Sequence, residues 1–517
     1  MDNTTPIIGK DVIESLTIGM YEDSRFIYRE YIQNSADQID KAVAQGLIKK
    51  EQEEIHISIN QDEKNVEIYD NATGISQNEA LPILLNIAQS TKQRGIDKGF
   101  RGIGRLGGLA YCEKLIFETS YKGEDTKTTL IWDATLLKEI INDRNEKEDA
   151  VSVIQKVTTS VVSKEDSNKH YFKVILEGVT NEDLLDKKSV DKYLSMVAPL
   201  PFPSRFIYKS LIYDELKKEG LLLDEYRIYL NTEQLYKGYS TTIYKGEDND
   251  KRKEDEILYI EFFKEYAKDG QLLFWGWHSI SGKNQSLNQI NYSRGFRLRK
   301  SNIQVGDEFT LIKLQRDKRF QFYFFGEIHG IHCDLIPNSR RDYFSENKIS
   351  LEFDQKLKQF FHKNINDLCR TASDLNSSLK KIEELRTFDE EYKIKKEIGF
   401  TNKTEHQEYK EKFEKKLDEA QKAQNKINKI KTGFSNIENH PVNKILQSVV
   451  SSDSINIYKL KPEINDPCGK TKFRTDNLSG LNKEQRKLIA RIFGVISDVL
   501  DKETAENVIQ KIEEELK

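Results

Sequence analysis

Residues 26–40 read FIYREYIQNSADQID. Glu30, Asn34 and Asp37 stand at i, i+4 and i+7, so they share one face of a helix predicted over Phe26 to Val43, while Ile27, Tyr31 and Ala36 lie elsewhere and can pack. A carboxylate one turn before an amide suits a metal–phosphate site. The amide oxygen can complete an Mg²⁺ shell already supplied by phosphates and water, and the carboxylate can orient and deprotonate an attacking water. Taken alone, the triplet is more readily that of an exposed polar helix.

Working outward, Ile55, Ile57 and Ile59 alternate with polar residues, as do Val66 and Ile68, which predicts two half-buried strands joined by a turn at Asn60 to Asn65. Asp70 closes the second strand, and Gly74 permits a backbone conformation closed to other residues. A buried carboxylate there can accept a hydrogen bond from an adenine amino group; the alternative is an Asp-Asn turn ending a hairpin. Glycines then crowd residues 99–108. Gly102, Gly104, Gly107 and Gly108 would let backbone N–H groups approach a polyphosphate, a following helix would add its N-terminal field, and Lys98, Arg101 and Arg105 add charge. Upstream, Ser90 to Asp97, including Lys92, reads as a polar, basic lid. The string also fits a dinucleotide fingerprint, but a Rossmann loop needs a buried strand directly before it, and here a charged loop precedes. Strand patterns at Leu115–Thr119 and Tyr171–Leu176 complete an α+β fold class.

In order and spacing these three elements resemble the GHKL superfamily of ATPases, the group of gyrase, heat-shock protein 90, histidine kinases and MutL. REYIQNSAD, residues 29–37, is similar to the N-box of heat-shock protein 90; Asp70 to Gly74 is similar to the first glycine box, and Gly99 to Gly108 to the second. The resemblance implies a Bergerat-type ATP-binding sandwich, with Glu30 as general base, Asn34 as Mg²⁺ ligand, Asp70 as adenine reader and Asp37 supporting the nucleotide. Two departures stand out. Ala72 replaces a usual glycine of the first box, and the Gly-Thr pair expected to open a later strand is not evident near His170-Tyr171, which leaves open the residue that assists Asp70.

FGEIHGIHCDLIPNSRRDYF, residues 325–344, looks like the end of an S5-like transducer domain, as in heat-shock protein 90 and microrchidia (MORC) ATPases. That likeness makes Arg340 the first candidate to contact the γ-phosphate and Arg341 the second; a guanidinium stays charged and can stabilise the transferring phosphoryl group. A surface ion pair of Arg340 with Asp342 is the alternative. The alternation in GFRLRK, 295–300, reads as a solvated strand face or a basic patch for nucleic acid. His329, His332 and Cys333 would be separated across a strand, which disfavours a metal.

The expected organisation is an ATP-binding domain over 1–195, a proline cluster (Pro199, Pro201, Pro203) opening a transducer domain over 196–370, a helical or coiled-coil segment over 371–435 carrying Phe413, Leu417, Ala420, Gln424 and Ile427 at four-three spacing, and a helical domain over 436–517. The last carries two stripes, Leu488, Ile489, Ile492, Phe493, Ile496 and Val499, then Val508, Ile509, Ile512 and Leu516, read as core packing with a docking or dimer surface as the alternative.

A net charge of −4 over 517 residues argues against a protein that coats nucleic acid everywhere, while leaving room for a local basic groove. Cys112, Cys333, Cys369 and Cys468 form no CxxC pair, which fits a reducing, cytoplasmic setting; the polar start lacks an apolar signal core, and no apolar run is long enough to span a membrane. The resemblance to the GHKL superfamily implies an ATPase with ATP and Mg²⁺ as cofactors, working as a homodimeric clamp. The Lys-, Asn- and Ile-rich composition suggests a bacterial source, for which anti-phage defence with DNA or an effector protein as client is one expected setting. A nucleotide-gated scaffold or chaperone-like protein acting on protein partners is the other. A histidine kinase is disfavoured, since no histidine precedes Glu30 to serve as phosphoacceptor.

Overall fold

The computed structural model describes residues 8–17, 23–89, 98, 102–143, 145, 147–283, 285–434, 442–443 and 471–516. They divide into two compact units, residues 1–281 with 286–366, and residues 282–285 with 367–517.

The first unit is built on two mixed sheets. Helices α1 (Asp11–Thr17) and α2 (Phe26–Ala44) precede the hairpin β1 (Ile55–Asn60) and β2 (Asn65–Asp70). Then follow α3 (Gln77–Leu85), β3 (Lys114–Ser120), β4 (Thr126–Asp133), α4 (Ala134–Asn142), α5 (Ala150–Val157), β5 (Thr158–Lys164) and β6 (Tyr171–Glu177). The hairpin aligns Ile57 with Ile68 and Ile59 with Val66, so the alternation foreseen from sequence faces one core. Helices α6 (Lys187–Val197) and α7 (Lys209–Lys218) lead to the short strands β7 (Ile228–Leu230) and β8 (Glu233–Gln234). These join the first sheet, β7 parallel to β1, giving the order β5-β4-β3-β6-β2-β1-β7-β8. The mixed α+β class read from the sequence is the one observed.

Helix α2 buries Ile27, Tyr28, Ile32, Ala36 and Ile39 in a core shared with Ile57, Ile68, Phe117, Val174 and Leu176. Its burial extends round most of the helix, so the face carrying Glu30 is covered as well. A helix buried on both sides keeps polar groups only where they have partners or a ligand.

The second sheet comprises β9 (Thr242–Lys245), β10 (Arg252–Tyr266), β11 (Leu272–Ser281), β12 (Gly295–Lys300), β13 (Ile303–Gln304) and β14 (Phe325–Gly330), in the order β13-β12-β14-β11-β10-β9, and α8 (Lys348–Phe360) follows. The expectation for GFRLRK is overturned here. β12 is an inner strand, and Arg297 and Arg299 are buried rather than solvated or free to meet nucleic acid. Arg299 and Lys237 both pair with Glu327 of β14, each of the three side chains fully buried, and Tyr239 donates to the same carboxylate at 3.2 Å. Burial alone would raise the Glu327 carboxyl, but Arg299 and Lys237 outweigh it and hold the group well below the ordinary range. Arg299 also donates to Met196 O at 2.7 Å, which ties the second sheet to α6. Arg297 pairs with Glu308 at 3.1 Å.

The second unit holds two long helices, α9 (Asn366–Ile398) and α10 (Lys403–Phe434), and a terminal pair, α11 (Lys483–Val499) and α12 (Lys502–Glu515). Tyr392 stacks on Phe413 at 5.4 Å and Phe388 on Tyr409 at 5.7 Å, so α9 and α10 lie side by side as a hairpin. Phe413, Ala420 and Ile427 of the predicted stripe are buried there.

Removing one partner from a buried ionic cluster leaves uncompensated charge. Glu327→Ala should therefore cost roughly 3–5 kcal/mol in chemical unfolding. An unchanged midpoint would show that the cluster does not hold the second sheet.

Candidate active site

A cavity of about 710 Å³ opens in the first unit between α2, the end of β2, α3, the glycine segment and the loop that follows β14. Its floor is Asp70, whose side chain is 1% exposed. The carboxylate accepts the Ala72 N–H at 3.2 Å and is also hydrogen-bonded by the Ser35 hydroxyl and the Phe172 backbone. Burial pushes the group up to about 7, with those bonds opposing. Ser35 on α2 and the backbone of β6 thus support Asp70. At the register position opposite Asp70 stands Phe172, which lines the cavity and stacks on Phe117 at 6.0 Å.

Gly74 needs both of its freedoms. Its φ is +64°, and a Cβ there would lie 1.9 Å from Ser120 O. Beside it, Thr119 Oγ1 accepts the Ile75 N–H at 2.8 Å and donates to Tyr171 O at 3.1 Å. Ala72, in place of a glycine, is buried, and its carbonyl lies 2.7 Å from the His170 ring.

Glu30 occupies the wall made by α2. Two guanidiniums approach the same oxygen, Arg29 Nη2 at 3.5 Å and Arg341 Nε at 3.5 Å. Its other oxygen faces Gly104, where a Cβ would come within 2.3 Å. Asn34 lines the cavity one turn along α2. Gly102, with φ +70°, and Arg105 complete this side; burial lowers Arg105 to about 10 while its guanidinium bonds Asn86 O. The helix expected after the glycines is the 3₁₀ segment Gly104–Ala110, tighter than an α-helix and closely packed on α2. Tyr31 clamps it, donating to Arg105 O at 3.0 Å and accepting the Gly108 N–H at 3.1 Å.

Of the residues singled out in sequence, Glu30, Asn34, Asp70, Gly74, Gly102, Gly104 and Arg105 meet in one cavity. Gly107 and Gly108 lie beneath it, where added Cβ atoms would strike Phe26 and Tyr31. Asp37 is buried beside it and accepts the Lys98 N–H at 2.9 Å. Lys92 lies outside the described residues. Arg340, the first candidate from the second sheet, is exposed and offers only its carbonyl, to Arg29 Nη2 at 3.5 Å. Of the two, Arg341 is the one that lines the cavity. Its φ of +56° swings the side chain inward, where it meets Glu30 and bonds Lys98 O. The expected partner of Arg340, Asp342, is hydrogen-bonded by Asn338 instead. Gln38, Lys41 and Gln45 also line the cavity; carrying the four-three spacing from Asn34 further along α2 finds them.

His332 has both ring nitrogens engaged, one 3.0 Å from Asp269 and the other 3.1 Å from the Asp334 N–H, so its closeness to Cys333 and Asp334 does not offer a free imidazole.

Residues 24–167 match the family described as histidine kinase-, DNA gyrase B-, and HSP90-like ATPase. The chain is also 27% identical over 139 residues to the chaperone protein HtpG of Acinetobacter baylyi; that stretch is 23% of this chain and 22% of the relative, so the chain spans about a fifth of the relative it matches. Among the described residues no helix is long and apolar enough to cross a membrane.

Because the folded Asp70 carboxyl lies near 7 and an unfolded one near 3.8, the native state binds the extra proton between those values, and this group's contribution to stability declines as pH rises through that window and is flat above it. Thermal melts of Asp70→Asn against wild type should therefore move in the variant's favour from pH 4 to pH 8. A difference independent of pH would mean the carboxyl is not perturbed.

Proposed function

We propose that this protein, whose residues 24–167 form a GHKL-type ATPase domain, binds ATP in the cavity above Asp70 and hydrolyses it to ADP and phosphate. The observation that carries the reading is Glu30, held in the same cavity as Asp70 and meeting both Arg341 and the glycine backbone at Gly104. The ionised Asp70 accepts the adenine amino group, and Phe172 flanks that position. Backbone around Gly102 and Gly104, with Arg105, faces the phosphates. Asn34 is a single neutral oxygen donor one turn from Glu30. That fits an Mg²⁺ brought in with its phosphates, since Mg²⁺ takes few protein ligands and keeps the rest as water and phosphate oxygens. When bound, Mg²⁺ neutralises charge on the polyphosphate.

Glu30 takes the proton of the water that attacks the γ-phosphorus as the bond to the ADP oxygen breaks. Arg341 contacts the γ-phosphate and stabilises the charge there, the role the sequence reading gave first to Arg340. A γ-phosphate that draws Arg341 to itself leaves Glu30 less tightly paired and better able to hold water. Arg341 belongs to the region following the second sheet, so nucleotide state is communicated to the segment proposed as a transducer, 196–370. The clamp, its homodimeric closure and a DNA or effector client in an anti-phage system are the wider form of this proposal. The pairing of Glu30 with two arginines also favours a second reading, a nucleotide-gated scaffold that turns over little without its partner.

Glu30→Ala should bind ATP and lose turnover. Arg341→Ala should lower turnover roughly a hundredfold or more, while Arg340→Ala stays near wild type; steady-state phosphate release separates them, and the reverse ranking would return the role to Arg340. Binding of a non-hydrolysable ATP analogue should weaken below pH 7, by up to about tenfold per pH unit, and level off above it, because the amino group selects the ionised Asp70. Calorimetry showing a flat profile would remove Asp70 from base recognition.

A further inference from the structure

Helix α11 is apolar on two sides. Its inner side packs on α12, where Phe493, Ala505 and Ile509 are buried. Its outer side carries Leu488, Ile492, Val495 and Val499, which are 58%, 40%, 61% and 74% exposed. At about 100° per residue these four fall in one narrow stripe, because their spacings are four, three and four. That is the seam of a helix paired with another helix, and no described residue of this chain covers it. Ile489 and Ile496 border the stripe on the side nearer Phe493, and Arg491 and Asp498, both exposed, border it on the other.

We propose that α11 pairs antiparallel with α11 of a second copy of this chain, about a twofold axis passing between Phe493 and Gly494. In that register Leu488 meets Val499 of the second copy and Ile492 meets Val495, so every seam position has an apolar partner. The flanks decide between orientations. Antiparallel pairing sets Arg491 against Asp498 of the second copy twice, once on each side of the axis, and sets Ile489 against Ile496. Parallel pairing would face Arg491 with Ile496 and leave Asp498 without a counterpart within the helix. A stripe made for an unrelated partner has no reason to be complementary to its own reversal. The seam is short, about three turns, so its affinity belongs at the weak end of specific association. It needs no nucleotide and stands independently of the ATPase reading.

Sedimentation velocity of the full chain without nucleotide tests this. At tens of micromolar the wild type should be largely dimeric. Leu488→Glu with Val495→Glu should be monomeric with an unchanged circular dichroism spectrum, as expected for exposed positions. Arg491→Asp alone and Asp498→Arg alone should each weaken the dimer several-fold, since each turns both symmetry-related pairs repulsive, and the double swap should recover it. A monomeric wild type, including one in which residues 435–470 cover the stripe, overturns the proposal. So does a dimer indifferent to the two glutamates, or a double swap no better than either single one.

Discussion

The contact on which the cavity depends is the clamp between Tyr31 and the glycine segment. One phenolic hydroxyl donates to Arg105 O and accepts the Gly108 N–H, and so fixes a backbone whose Leu106 and Leu109 are anchored in the core. The glycines make this possible in a particular way. Gly107 and Gly108 let the segment settle on Phe26 and Tyr31, and that seating brings Gly104 against Glu30. Peptide groups near Gly104 and a carboxylate on α2 are thereby set at one distance, and an anionic ligand lying between them meets a surface already formed. Arg341 enters the same space from the far side, on a loop whose origin is the second sheet. The strand that leads into that loop, β14, carries Glu327 of the buried cluster, whose Arg299 reaches back to α6. The two sheets of the first unit are thus joined by charge in the interior as well as by the chain.

Much of this was legible in the sequence because it is local. The helix 26–44, the hairpin and the position of Asp70 follow from periods of 3.6 and 2 that a short window contains; helical spacing puts Glu30 and Asn34 on one face, and the resemblance to the GHKL motifs singles them out. The choice between Arg340 and Arg341 was not legible. Neighbouring residues on a loop point to different sides, and which one enters the cavity depends on a left-handed backbone at Arg341 that no composition signal marks for arginine. The burial of Arg297 and Arg299 escaped for another reason. Alternating basic residues read as a solvated face unless a partner is known, and the partner, Glu327, lies on a strand reached only after a long excursion. Ser35 is a third case, since its hydroxyl matters through Asp70, which local spacing does not connect to it.

Arg341 carries a cost that its neighbours avoid. A non-glycine residue at positive φ is held there against its own preference, and such positions persist where the surroundings over-determine them. Here the surroundings are Glu30 and the Lys98 carbonyl on one side and the hydrogen-bonded turn from Asn338 to Tyr343 on the other.

The first sheet has a further property with practical weight. Its β1 edge is closed by β7, a strand contributed from beyond the proline-rich stretch, through pairs such as Ile57 with Leu230. Anyone isolating the portion that contains residues 24–167 by cutting near residue 195 would strip that strand away, bare the hydrogen-bonding edge of β1 and expose Ile228 and Leu230's share of the core. Such a fragment would be prone to self-association through the opened edge, and its behaviour in solution would report on the missing strand rather than on the cavity above Asp70.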